Sequence, residues 1–467
     1  MEHTTTSASD SRSSEPARLR GVPLDRIAAF ATLERDRYKA ARPRSHARAR
    51  ASAAYYGGVP MHWMLDWPLP FVPVIADAQG ATLTDLDGIE LADFCLGDTG
   101  AMFGHSPAPV VRALQSRASH GFSYMLPSED ADAVGRLLRE RFAMPHWQIA
   151  TTASDANRFA LRIARAVTHR PRVLIMNGCY HGAVDETYVS LEDDRATNRP
   201  GLMGQFIDLT EGTKIVEFND VFALERALAD RDVACVITEP ALTNCCMVLP
   251  EPGYHAALRR ITRATGTLLL IDETHTISSG PGGYTRAHGL APDILVVGKP
   301  IAGGVPASAW GFTEAIAAIW DRIRADKAPG HSGLGTTLSA NALAMATMHA
   351  TLRDVMTEAA YAHMEQLAGL LAAGLSAIID RRQLPWHVAR VGARVEFICA
   401  PGPLRNGSEA ARALAPELEQ AIHLGLLNRG CIIAPFHNMM LVCPQTTRAQ
   451  VDKLISAFDE VTGALLG

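Results

Sequence analysis

Two stretches close together in the chain decide the architecture: Leu268-Leu269-Leu270-Ile271-Asp272-Glu273 and Ile294-Leu295-Val296-Val297-Gly298-Lys299-Pro300. Each is a short apolar run that ends on a charged residue. Consecutive apolar side chains point to both faces of a strand, so such a strand must be covered on both sides, as in a parallel sheet. Arg172-Val173-Leu174-Ile175-Met176 and Ala234-Cys235-Val236-Ile237-Thr238 belong to the same series. Between the runs lie helix-period segments, which predicts an α/β fold with a mostly parallel sheet. Ligands of such sheets bind beyond the carboxyl ends of the strands. Asp272 and Lys299, at the ends of successive runs, therefore mark one candidate site.

Working outward, the helix opening at Asp155 carries an apolar stripe at Ala156, Phe159, Ala160, Ile163 and Val167. Upstream, Phe71 to Phe94 alternates apolar residues with turn signals and reads as a small meander of strands. An Arg-rich, helix-prone segment from Leu24 to Ala54 precedes it and breaks at Tyr56-Gly57-Gly58-Val59-Pro60. Residues 1–21 are polar, without the apolar block of a secretory signal, and read as a disordered leader. After Met345 the chain turns helical, gives a strand over Arg394–Ala400, and ends in an amphipathic helix from Arg448. The expected organisation is a large domain over 107–345 and a small α+β domain assembled from 22–106 and 346–467.

The chain has 467 residues, 48% of them hydrophobic, and a formal net charge of −5. It carries no basic footprint, so no nucleic-acid partner is expected. No apolar stretch reaches the length that a membrane span needs, and none is expected. Eight scattered cysteines, including the adjacent Cys245 and Cys246, suit small buried hydrophobes in a reducing compartment. The cytoplasm is the expected location, and no metal-chelating spacing is present. There is likewise no P-loop, no dinucleotide glycine fingerprint and no nucleophile elbow.

Only five lysines occur: Lys39, Lys214, Lys299, Lys327 and Lys453. Lys299 alone ends a buried-type strand, and Ala302-Gly303-Gly304 after it gives the backbone room for close approach. A lysine in a dry pocket becomes a nucleophile and base, whereas at an open strand end it is a surface residue. Asp272 needs a cationic partner or burial forces it to protonate. A protonated pyridine nitrogen is such a partner, and the pairing strengthens the ring as an electron sink. Alone, Asp272 reads equally as a turn acid.

Together, Ile271 to Thr276 (IDETHT) and Leu295 to Pro306 (LVVGKPIAGGVP) resemble the class III aminotransferases, most of all the glutamate-1-semialdehyde aminomutase and β-amino-acid aminotransferase branch. The resemblance implies a fold type I enzyme using pyridoxal 5′-phosphate, with a large domain built on a seven-stranded sheet. Lys299 matches the Schiff-base lysine and Asp272 the ring-nitrogen aspartate. Thr152-Ala153-Ser154-Asp155-Ala156-Asn157 is similar to the phosphate loop, with Ala153 where glycine is usual. Ser154 and nearby N–H groups would meet the phosphate at a helix N-terminus. Tyr180 matches the aromatic that stacks on the ring, and Glu239 followed by Asn244 the segment near the ring hydroxyl. Thr337 matches the threonine that reaches the neighbouring subunit's phosphate, which implies a homodimer with shared active sites.

Departures from the family bear on chemistry. Thr274 stands where valine packs on the ring face, and His275 where glutamine or methionine is common. His275 is expected to be a satisfied polar residue of the loop. Gly57 to Ile75 holds Trp63 and Trp67 but no arginine. The expected substrate is therefore a hydrophobic or aromatic amine, or an atypical (β- or ω-) amino acid, lying against Trp63, with a keto acid or aldehyde as acceptor. In the alternative, both tryptophans simply pack the small domain. Arg394 is the reserve carboxylate binder or, equally, a partner of Glu396. The same parts would also serve an aminomutase, racemase or lyase, or a non-catalytic cofactor-binding relative.

Overall fold

The computed structural model describes residues 17–51 and 54–467. Its centre is a seven-stranded sheet built, in chain order, from β1 (His146–Ala150), β2 (Arg172–Met176), β3 (Thr213–Val216), β4 (Val233–Thr238), β5 (Leu268–Asp272), β6 (Ile294–Val297) and β7 (Ser308–Phe312). The strands lie in the order β3-β2-β4-β5-β6-β7-β1. Five of them, β3 through β6 along that order, pair in parallel, and every residue of β4 and β6 is buried, as their unbroken apolar runs demand. β7 runs antiparallel to both its neighbours. Asp272 sits opposite Val296, so Asp272 and the residues that follow β6 reach the same edge of the sheet.

The apolar runs quoted from the sequence fall on β2, β4, β5 and β6. Strands β1 (HWQIA), β3 (TKIV) and β7 (SAWGF) carry polar or small residues and had no such signature. Helix α1 (Ala153–Thr168) follows β1 and buries Ala156, Phe159, Ala160 and Ile163 of the stripe read from its period, with Val167 half-buried at its end.

Segments from both ends of the chain meet beside this sheet. The meander appears as Ile75–Gln79, Thr82–Asp85 and Glu90–Asp93, and Cys431–Ile432 joins it in parallel alongside Glu90–Asp93. His387–Val391, Arg394–Ile398 and Met439–Leu441 form a second antiparallel sheet. Helices Leu24–Ala41, Pro416–Asn428 and Arg448–Leu466 pack on one another. Arg42, just past the first of them, buries its guanidinium 2.9 Å from Asp85 at the end of the second meander strand. The expected domain border after residue 345 falls within one continuous helix, Ala342–Ala350.

Two expectations need adjustment. Residues 1–16 of the expected leader lie outside the described residues, but Arg18–Leu19 pairs with Val22–Pro23, and Trp386 Nε1 donates to the Arg20 carbonyl. The backbone at this hairpin is therefore held by pairing and packing inside the stretch read as leader. Helix Glu358–Arg381 is long and apolar enough to cross a membrane by composition. It buries Met364, Leu367, Leu371 and Leu375 and packs against the C-terminal helix, as a core helix does. All eight cysteines are unpaired, and all but the half-buried Cys245 are buried.

Candidate active site

A cavity of about 260 Å³ opens at the carboxyl edge of the sheet. One end is the start of helix α1. Thr152 caps it, its hydroxyl accepting from Asp155 N at 3.2 Å, while the first-turn N–H groups of Ala153 and Ser154 have no helical partner. Ser154 Oγ accepts from Ala183 N at 3.0 Å. Gly182 closes the cradle: it holds φ +85°, and a Cβ there would lie 2.1 Å from Ser154 Oγ. Gly298 is the counterpart of Ala153, since a Cβ on it would come within 2.8 Å of the Ala153 methyl. The alanine in the loop is thus accommodated by a glycine across from it.

At the other end Asp272 leaves β5. Its Oδ2 accepts from Asn157 Nδ2 at 2.9 Å and contacts His181 Nδ1 at 3.0 Å. Its Oδ1 accepts from the Thr274 hydroxyl at 2.6 Å and from Thr274 N at 3.1 Å. Burial works to raise this carboxyl, but the hydrogen bonds from His181, Thr274 and Asn157 outweigh it and hold it at about 2. Asp272 is a fixed negative charge at neutral pH.

Lys299 follows β6 with φ +46°, a left-handed conformation unusual for a side-chain-bearing residue and typical of functional positions. Its Nζ donates to Asp98 Oδ2 at 2.8 Å and lies 2.5 Å from His275 Nε2. Asp98 belongs to a second strained turn: Leu96, Gly97, Asp98 and Thr99 take φ +46°, +58°, +47° and +81° in succession. Asp93 Oδ1 holds that turn by accepting from Cys95 N and Leu96 N, each at 2.8 Å. Burial alone would raise the Asp98 carboxyl; Lys299, His275 and Arg394 together force it far below the usual range.

The chain matches the class III aminotransferase family model over residues 67–462. It belongs to the class III aminotransferases. It is 34% identical over 368 residues to a glutamate-1-semialdehyde 2,1-aminomutase of Anaeromyxobacter sp. (strain Fw109-5), covering 77% of this chain and 83% of that protein. Among solved structures, a glutamate-1-semialdehyde aminomutase from Pseudomonas aeruginosa PAO1, a lysine-to-alanine variant in complex with PMP, is 45% identical with a TM-score of 0.93, covering 96% of this chain and all of that one. A β-phenylalanine aminotransferase from Variovorax paradoxus shares the fold at a TM-score of 0.83 and 24% identity, with 94% and 97% covered. This chain is a fold type I enzyme of that family and uses pyridoxal phosphate.

The cavity of this class III aminotransferase offers groups that suit the cofactor's chemistry: free N–H groups for a phosphate, a buried carboxylate for a ring nitrogen, and the Lys299 amine on the same wall. Ala153, Ser154, Tyr180, Glu239, Asn244, Asp272, Thr274 and Lys299 all line it, as does Trp63. Trp63 stands 5.5 Å from Tyr180 and 5.6 Å from Phe436, ring centre to ring centre, so it faces the mouth of the cavity with aromatic neighbours. Two expected residues stand elsewhere. Thr337 is exposed and does not line the cavity of its own chain. Arg394 is fully buried behind the strained turn, donating Nη2 to Thr99 Oγ1, and does not reach the cavity. Nor does it bond Glu396, whose Oε1 contacts His437 Nδ1 at 2.9 Å. His275 is a satisfied polar residue as expected, its Nδ1 meeting Thr243 and its Nε2 meeting Lys299, a partner the sequence did not indicate. Asp98 and Thr243 carried no signal in the sequence, because neither sits in a motif and both meet Lys299 or His275 only through the fold.

Proposed function

We propose that this enzyme shifts an amino group within one small substrate skeleton, as an aminomutase of the glutamate-1-semialdehyde type. The observation that carries the reading is the convergence of Lys299 and Asp272 on one cavity, in a chain 45% identical to a structure bearing that name. Bound pyridoxal phosphate would supply an aldehyde that condenses with amines and a ring that accepts the electron pair left when a carbon loses its proton. The protein's part is then positional and protonic. The start of α1 would hold the phosphate through Ala153, Ser154 and the helix dipole, and Asp272, kept ionised, would keep the ring nitrogen protonated. Tyr180 and Thr274 would border the ring, and Glu239 and Asn244, which line the same cavity, would serve its hydroxyl. Lys299, the one amine lining the cavity, would hold the cofactor's aldehyde and, as a free amine, would carry a proton to and from the substrate carbon.

A second reading keeps the same machinery but passes the amino group to a separate acceptor. It is favoured by the Trp63–Tyr180–Phe436 aromatic cluster and by a cavity wall that holds no arginine among the described residues, which suit an aryl-alkyl amine. The exposed Thr337 supports a homodimer in which each chain completes the other's phosphate site. The eight unpaired cysteines support a cytoplasmic setting.

Glutamate 1-semialdehyde given alone distinguishes the two readings. Turnover without any keto acid is the expected result, while turnover that begins only when an acceptor and an aromatic amine are supplied would replace the first reading by the second. Lys299→Ala should lower kcat by at least about 100-fold in either case, with an unchanged circular dichroism spectrum. Normal activity in that variant would refute both.

A further inference from the structure

Behind Lys299 runs an unbroken line of polar contacts. Its Nζ lies 2.5 Å from His275 Nε2, His275 Nδ1 lies 2.8 Å from Thr243 Oγ1, and the Thr243 hydroxyl meets Glu239 Oε2. The donor inventory fixes its direction. A threonine hydroxyl has one proton, and here it goes to the Glu239 carboxylate. The Thr243 oxygen then accepts from His275 Nδ1–H, which leaves Nε2 as a lone pair facing the lysine. Asn244 Nδ2 donates to the other Glu239 oxygen at 3.2 Å, and its 3.3 Å approach to His275 Nδ1 is the longer of the two contacts there. His275, Thr243 and Glu239 are all buried.

We propose that His275, Thr243 and Glu239 form a proton relay that draws a proton off the Lys299 ammonium and later returns it, so that Lys299 meets the substrate as a neutral base. The inference rests on the reading of Lys299 as the proton carrier and adds three groups to it. The transfer balances without any co-reactant. His275 Nε2 takes a proton from Nζ as Nδ1 gives its own to the Thr243 oxygen and the hydroxyl proton passes to Glu239. The ammonium becomes an amine, the carboxylate becomes a carboxylic acid, and the imidazole is neutral before and after, in its other tautomer.

Charge at the site favours this path over simple protonation of His275. The ring is faced by Lys299 and Asp98 on the Nε2 side, with Asp98 Oδ2 at 3.9 Å, by Glu239 through Thr243, and by the charges of Arg394 and Asp272. Burial first, and then the cations Lys299 and Arg394, push the imidazole well below its ordinary range. Burial raises the Glu239 carboxyl, which suits it to receive a proton. Asp98 cannot take that part. Held far below the usual carboxylate range, it anchors the ammonium and does not deprotonate it.

Thr243→Val keeps the volume and removes the relay's hydroxyl, and Thr243→Ser restores it. Two readouts are needed. In the first, apoprotein is mixed with pyridoxal phosphate and the rise of visible absorbance is followed from neutral to alkaline pH. The valine variant should take up the aldehyde more slowly than wild type at neutral pH and catch up as solvent deprotonates the lysine, with serine behaving as wild type. In the second, kcat of the loaded valine variant should fall about 100-fold at neutral pH and recover with rising pH. Glu239→Gln, which still accepts the threonine proton but cannot be protonated itself, should reproduce both effects. Uptake and kcat profiles of Thr243→Val and Glu239→Gln that superimpose on wild type would overturn the relay alone. Failure of wild-type apoprotein to take up the aldehyde would overturn the role of Lys299 and the relay with it.

Discussion

Asp272 contributes to stability as well as to the site, and its pH dependence has a definite sign. Its folded-state value of about 2 lies below the ordinary 3.8. The ionised group therefore stabilises the fold fully above about pH 4, and that contribution is lost as pH falls through the folded value. A shift of this size corresponds to about 2 kcal/mol. Urea unfolding of the apoprotein from mildly acidic to strongly acidic pH should show wild type losing about that much more than Asp272→Asn. Equal losses would mean that His181, Thr274 and Asn157 do not favour the charged form. Asp272 and Lys299 were legible in the sequence because each ends an apolar run, so the strand itself announces where the charged group goes. Asp98 was not, since it meets Lys299 across 201 positions of chain. His275 reads from the sequence as a satisfied polar residue of the loop, where glutamine or methionine is common in the family. Only the side-chain geometry reveals which nitrogen it offers and to whom.

The elements that matter most are the start of α1 and the turn after Asp93. Thr152 uses its hydroxyl twice, accepting from Asp155 N and donating to Asp155 Oδ2 at 3.0 Å. Thr152→Ala should destabilise the protein by about 1 kcal/mol and weaken binding of pyridoxal phosphate, as read by thermal melting with and without the cofactor. A variant that melts at the wild-type temperature in both states would show that backbone groups alone hold the helix start. At this scale the four apolar parallel strands could be read from composition alone. β7 could not: Ser308, Ala309 and Gly311 give no β-branched signature, and its antiparallel direction follows from a connection only ten residues long between Val297 and Ser308, too short for the crossover that a parallel neighbour requires. The left-handed run Leu96–Thr99 was equally invisible, because two of its four residues, Leu96 and Thr99, are types that rarely adopt that conformation.

Across the whole molecule, the N-terminal helix is tied to the meander by the buried Arg42–Asp85 pair. Arg42→Ala leaves a carboxylate buried with its cation gone, a change that costs about 3–5 kcal/mol. Denaturant unfolding should register that loss, and a change below about 1 kcal/mol would class the pair with ordinary surface bridges. The apolar runs alternating with helix-period segments made the α/β fold legible, and the motifs around Asp272 and Lys299 made the enzyme family legible. They were silent on how its ends are joined, because pairing of Cys431–Ile432 with Glu90–Asp93 is set by neither segment's own pattern. That joint orders events during synthesis. The central sheet is complete once Phe312 has left the ribosome, whereas the meander waits for a strand made more than a hundred residues later. Until translation nears its end, the lobe bearing the turn that meets Lys299 has an open edge, and the nascent chain must keep that edge from pairing with a stranger.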